Sequence, residues 1–168
     1  TWEVASVDKK QTLRLAVHHN GTTAEVEAYA QLARVVVLEE AAIFGELPAY
    51  DYGVYTFIAD YLPHVNGDGM EHRNSTILSS TGNLKENYLG LLGTVSHEFF
   101  HCWNVERIRP RSLEPFNLEE ANMSAELWFA EGVTSYYDDL VLKRAGIISL
   151  DRYARGITGG LNVVQNAP

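Results

Sequence analysis

The chain is short of cysteine, of positive charge and of long apolar runs, and each shortage removes a class of protein. A single cysteine, Cys102, among 168 residues excludes an intramolecular disulfide framework. Thirteen Lys and Arg against 22 Asp and Glu give a formal net charge of −9. Binding a phosphate backbone needs clustered cations, so no nucleic-acid partner is expected. No apolar run approaches the roughly 20 residues that cross a bilayer, so no membrane partner is expected either. Internal repeats and low-complexity tracts are missing too. What remains is 46% hydrophobic residues in a length sufficient for one domain with its own core. Thr1 opens like mid-domain sequence, with no charged-then-apolar leader, so an excised part of a longer chain is expected. Cytoplasm and periplasm are both allowed as its compartment.

Leu13, Leu15 and Val17 alternate with Arg14 and Ala16, which predicts a strand over 12–18 that Asn20-Gly21 ends. Residues 1–20 are read as the end of a preceding β-rich region, and 21–168 as an incomplete domain. Thr22 with Glu25 forms a capping-box pattern, and a helix running to Phe44 would be capped by Gly45. Val54 to Tyr61 is rich in β-formers. Asn66-Gly67-Asp68-Gly69 reads as a loop before a short strand at the end of Met70–Leu78. A helix is expected from near Leu84 to some point before Pro110, and another from Ala125 to Arg144 with Ser124 as N-cap. A last helix begins after Ser149, with continuity weakened by Gly156, Gly159 and Gly160. The order predicts an α+β fold, a small mixed sheet packed on helices.

His97-Glu98-Phe99-Phe100-His101 carries most of the chemical information. On a helix, residues i and i+4 share a face with Cβ atoms roughly 5–6 Å apart, so both imidazoles can turn to one ion. A zinc ion held by three protein groups keeps a position for water and lowers that water's pKa to about 7. Glu98, between the histidines, is the candidate general base. The flanking residues are largely apolar, and burying such a triad costs desolvation unless it is paired or coordinated. Cys102 directly follows His101 and points about 100° away around a helix, so packing is its expected role.

Two histidines do not complete a catalytic zinc site. Glu131, a carboxylate inside Leu127-Trp128-Phe129-Ala130-Glu131-Gly132-Val133, is the candidate third ligand, the bland reading being a glutamate on an outer helix face. Asp138, seven residues later, returns to nearly the same face and could orient His97 or His101, or form a solvated acidic pair with Asp139. Tyr136 and Tyr137 are oxyanion-donor candidates or core residues. Arg107, Arg109 and Arg111 either meet a substrate carboxylate or satisfy a helix C-terminus, the second reading being favoured.

Jointly these segments resemble the glycyl aminopeptidase family of zinc peptidases. The likeness rests on the HExxH residues followed by Trp103-Asn104-Val105 and Arg107-Ile108-Arg109-Pro110. It extends over Trp128-Phe129-Ala130-Glu131-Gly132, Thr134-Ser135-Tyr136-Tyr137-Asp138-Asp139 and Met70-Glu71-His72-Arg73-Asn74-Ser75-Thr76. The resemblance implies a thermolysin-like catalytic fold, one zinc ion on His97, His101 and Glu131, and removal of small N-terminal residues such as Gly or Ala from peptides. It implies further domains in the full-length chain, commonly a PDZ domain. Gly69-Met70-Glu71 is similar to the exopeptidase motif of related zinc aminopeptidases, which implies that Glu71 binds the substrate's α-amine. Against the family pattern, the domain is truncated at its C-terminal end, and the oxyanion tyrosine of related enzymes has no counterpart that can be placed. An endopeptidase, or a non-catalytic peptide-binding or scaffold module that keeps its zinc, are the rival readings.

Overall fold

Thr22 and Glu25 start the first long helix by satisfying each other's backbone. In the computed structural model, which describes residues 2–5, 11–115, 117 and 119–167, the Thr22 hydroxyl accepts from the Glu25 amide at 3.3 Å. The Glu25 carboxylate accepts from the Thr22 amide at 2.7 Å. The helix, α1, spans Thr23–Phe44 and stops where Gly45 turns left-handed at φ 83°, a region that favours glycine.

Among the described residues, five strands form one sheet in the order β1-β2-β3-β5-β4: β1 (Trp2–Ala5), β2 (Thr12–His19), β3 (Val54–Tyr61), β4 (Asp68–His72) and β5 (Ser75–Ser80). The three central strands are parallel and both edges antiparallel. α1 supplies the crossover that a parallel β2–β3 pair requires. β2 pairs with β3 along its whole length, Thr12 to His19 against Val54 to Tyr61. Residues 12–19, expected to close a preceding region, therefore share one sheet with strands that follow residue 21.

The expected loop at 66–69 ends at Gly67. From Asp68 the chain is an edge strand paired with β5, Gly69 opposite Leu78 and Glu71 opposite Thr76. The strand expected near Leu78 is thus the second arm of a hairpin. One sheet face is apolar and covered, with Leu13, Leu15, Tyr55, Phe57 and Leu78 buried. Helices pack there. The opposite face leaves Ile58, Ile77 and Met70 in one exposed row.

Helix α2 (Tyr88–Phe100) packs against both this sheet and α1, burying Leu91, Leu92, Val95 and Phe99. Phe99 meets Tyr55 and Phe57 at ring distances of 5.3 Å each, and Trp103 stacks on Phe44 at 4.3 Å. Each such fully buried aromatic contributes on the order of 1.5–3 kcal/mol by area alone. Regular helix ends at Phe100, before the limit set by Pro110. The Glu106 and Ile108 amides reach back five residues to the carbonyls of His101 and Trp103, so the chain leaves in wide, π-type turns. Arg107 holds that exit, donating to the carbonyls of Cys102 and Ala49, while Arg109 donates to the Glu106 carbonyl.

The helix expected from Ala125 instead opens as a π-helical stretch at Trp128–Val133 and continues as α3 (Thr134–Arg144). The last helix, α4 (Leu150–Gln165), starts with the Ser149 hydroxyl accepting from the Arg152 amide and runs unbroken through its three glycines. Among the described residues, no helix is long and apolar enough to cross a membrane.

Candidate active site

α2 is pinned by its apolar face to the sheet, and that fixes where its other face looks. His97 and Glu98 lie in its last turn and His101 caps it. The His97 and His101 rings stand 4.8 Å apart and nearly perpendicular. Glu131 comes from the π-helical stretch, with Oε2 at 3.2 Å from His97 Nε2 and 3.7 Å from His101 Nε2. Ligand atoms of His97, His101 and Glu131 all lie within 4.8 Å of one another.

Glu131 is half exposed, its side chain 49% accessible, and Trp128 beside it is 70% accessible. The segment that bears this carboxylate is therefore not buried. What singles it out is its approach to both imidazoles.

Each ring is oriented by a second partner. His97 Nδ1 faces Asp138 Oδ2 at 3.0 Å, and His101 Nδ1 donates to the Asn104 carbonyl at 2.6 Å. With both Nδ1 hydrogens committed, neutral rings point two Nε2 lone pairs at an anionic oxygen. Such an arrangement is repulsive unless a cation lies among the three atoms or an imidazole carries a second proton. Tetrahedral zinc with bonds of about 2.1 Å sets ligand atoms about 3.4 Å apart, close to the separations found. Burial pulls the His97 imidazole down, but the hydrogen bond and charge of Asp138, helped by Glu98 and Glu131, outweigh it and hold its pKa above the ordinary value.

Glu98 is 6% exposed, and its Oε2 has no hydrogen-bond partner among the described residues. Desolvation pushes its carboxyl up to about 7. His97 opposes this, while the charges of Glu71, Glu131 and Asp68 add to it. Gly69 makes the close approach possible, because a β-carbon there would lie 2.2 Å from Glu98 Oε1. Glu71, two residues along the same edge strand, brings a carboxylate oxygen within 4.8 Å of Glu98 and His101. Beyond Gly69 a cavity of about 670 Å³ runs along the N-terminal half of α2, past Asn87, Gly90 and Thr94.

The remaining candidates fall outside the cluster. Tyr137 stacks on Phe100 at 5.0 Å, and Tyr136 is 48% exposed. Cys102 is buried, and burial drives its thiol pKa far up.

Three supporting residues are not singled out by sequence reasoning. Asn104 donates from Nδ2 toward the carbonyls of Phe129 and Ala130 and toward Thr134 Oγ1, tying the exit of α2 to the turn that bears Glu131. Ser96 donates from its hydroxyl toward Glu40 Oε1 and the Asp138 carbonyl, both at 3.1 Å. Glu40 itself is fully buried in α1. A signal existed for two of them: Asn104 stands within Trp103-Asn104-Val105 directly after the HExxH residues, and Glu40 is an acid on the helix face of Val36, Val37 and Ala41.

Comparison with known proteins meets this geometry. Among curated proteins nothing matches the chain. Among solved structures, an aminopeptidase N family protein from Idiomarina loihiensis is similar, with 29% identity and a TM-score of 0.74. The match covers 90% of this chain and 26% of that one, so the chain spans about a quarter of that relative's length. The family model described as M61 glycyl aminopeptidase matches residues 90–168, the part that holds both histidines, Glu98, Glu131 and Asp138. Over those residues, a little under half of the chain, the sequence is similar to the M61 glycyl aminopeptidase family.

Proposed function

We propose that these residues form the centre of a zinc-dependent aminopeptidase that removes small N-terminal residues from peptides, within a thermolysin-like catalytic domain. The observation that carries this reading is the convergence of two lone-pair nitrogens and one carboxylate oxygen beside a buried, unpartnered carboxylate. In it, His97, His101 and Glu131 hold one zinc ion. When bound, that ion supplies Lewis acidity, polarising the scissile carbonyl and easing ionisation of water near neutral pH.

The rest is done by this chain's own groups. Glu98 takes the proton of the attacking water at its carboxylate and returns it to the leaving amine. Asp138 keeps the His97 ring in one tautomer and orientation. Glu71, on the edge strand, pairs with the substrate's α-ammonium and so registers the first residue of the peptide. A peptide lying along that strand from Glu71 past Gly69 carries its leaving side toward the cavity beside α2. In this reading residues 21–168 belong to the catalytic domain, and its sheet also takes up residues 12–19. Further domains of the full-length chain, a PDZ domain among them, complete the protein.

The test is Glu98→Gln in the full-length protein. Zinc content is expected to be unchanged while kcat falls about 10²–10⁴-fold, the usual worth of a general base. Near wild-type turnover would reject Glu98 as the base. N-acetylated peptides should be refused. Their cleavage would favour an endopeptidase, and bound zinc without any hydrolysis would favour a scaffold.

A further inference from the structure

The ligand atoms of Glu71, Glu98 and His101 form a second group within 4.8 Å, overlapping the first at His101. The overlap cannot serve two ions. His101 has one nitrogen to offer, since Nδ1 donates to the Asn104 carbonyl. An ion on His97, His101 and Glu131 therefore leaves Glu71 and Glu98 as a pair of carboxylates facing each other across the cleft.

That pair is short of positive charge. Asp68, Glu71 and Glu131 all press electrostatically on Glu98, so four carboxylates gather where the proposed function places one dication. No Lys or Arg among the described residues pairs with Glu71 or Glu98. The buried Glu98 Oε2 has a lone pair and no donor for it. Glu71 is half buried on an edge strand, so the pair is reachable from solvent.

We infer that Glu71 and Glu98 form a second, weaker divalent-cation site, and that a cation there excludes the α-ammonium group of a peptide. The inference rests on the proposed function for its first ion and for the amine-binding role of Glu71. Two oxygens and water are a hard, sparse ligand set, so the second ion binds less tightly than one held by two imidazoles and a carboxylate. Its consequence is inhibition by excess metal. The ion occupies the oxygen lone pair that accepts the proton and the carboxylate that holds the amine.

Zinc binding to the chain, followed by calorimetry and by metal content after equilibrium dialysis near neutral pH, tests this. Two equivalents are expected, the second weaker by about tenfold or more. Glu71→Gln should retain the first and lose the second, and glycinamide, an α-ammonium compound without a carboxylate, should weaken only the second. One equivalent in the wild type, or two in Glu71→Gln, overturns the inference; the latter places the extra ion on surface histidines. A second ion lost in Glu71→Gln yet indifferent to glycinamide keeps the site and rejects the amine-binding role. No tight equivalent at all defeats both the inference and the proposed function.

Discussion

Gly69 shows how one missing side chain can matter more to chemistry than to folding. A β-carbon there would meet Glu98 Oε1 at 2.2 Å and Cδ at 2.6 Å, and the hydrogen-bonded strand yields less readily than a side-chain end. Gly69→Ala is therefore expected to leave the melting temperature within a few degrees and to lower kcat of the full-length protein about 10²-fold, as misplacing a reacting group by about 1 Å does. Unchanged kcat would show that the carboxylate has room elsewhere. Glu40 poses the opposite case, a residue that touches no substrate and yet titrates. Burial raises its carboxyl well above 4.5, the charge of Asp138 adds to this, and the Ser96 hydroxyl opposes it. The fold thus holds Glu40 protonated where the unfolded chain has released the proton. Its contribution is complete below the unfolded pKa and is lost as pH climbs toward the folded one, by up to about 1.4 kcal/mol per pH unit. Glu40→Gln keeps the shape without the titration. Its melting temperature should gain on the wild type from pH 5 to pH 8, and a flat difference would refute a protonated Glu40.

At the scale of elements, what could be read in advance was what depends on neighbours in sequence. Thr22, Glu25 and Gly45 mark both ends of α1, and the i, i+4 spacing of His97 and His101 marks a shared face. β4 was hidden because Asn66-Gly67-Asp68-Gly69 has turn composition, whereas Gly69 is there to let a helix side chain approach a strand. The π-helical stretch was hidden because its wider winding leaves no periodic trace over so few residues. Asn104 was hidden as a brace because its partners, at Phe129, Ala130 and Thr134, are brought to it only by the packing of α3 on α2. It joins two elements at once, its carbonyl fixing His101 and its side chain fixing the turn of Glu131. Asn104→Ala keeps the first contact and frees the second. Groups that orient ligands typically govern affinity by about 10–100-fold, so zinc affinity of the chain should fall by that factor while helix content stays. Unaltered affinity would mean that α3 alone places Glu131.

For the molecule as a whole, the site is a junction. His97 and His101 end the helix pinned to the sheet, and Glu131 begins the helical segment that packs across it, so an ion held by all three ties together parts of the chain far apart in sequence. Such an ion binds the folded chain and finds no preformed site in the unfolded one, so it stabilises by mass action. At a free concentration a thousandfold above the dissociation constant the gain is about 4 kcal/mol, and for a chain of this size that raises the melting temperature by about 8–16 °C. The measurement is a thermal scan of the chain with and without zinc, repeated after chelation. It needs no substrate, so it tests the metal site even though the chain spans only 26% of the length of its solved relative. His97→Ala and Glu131→Gln should each remove most of the shift, because two donors hold zinc far more weakly than three. A shift that survived both substitutions would place the ion elsewhere on the surface, and the absence of any shift would mean that these three side chains meet without a metal to hold.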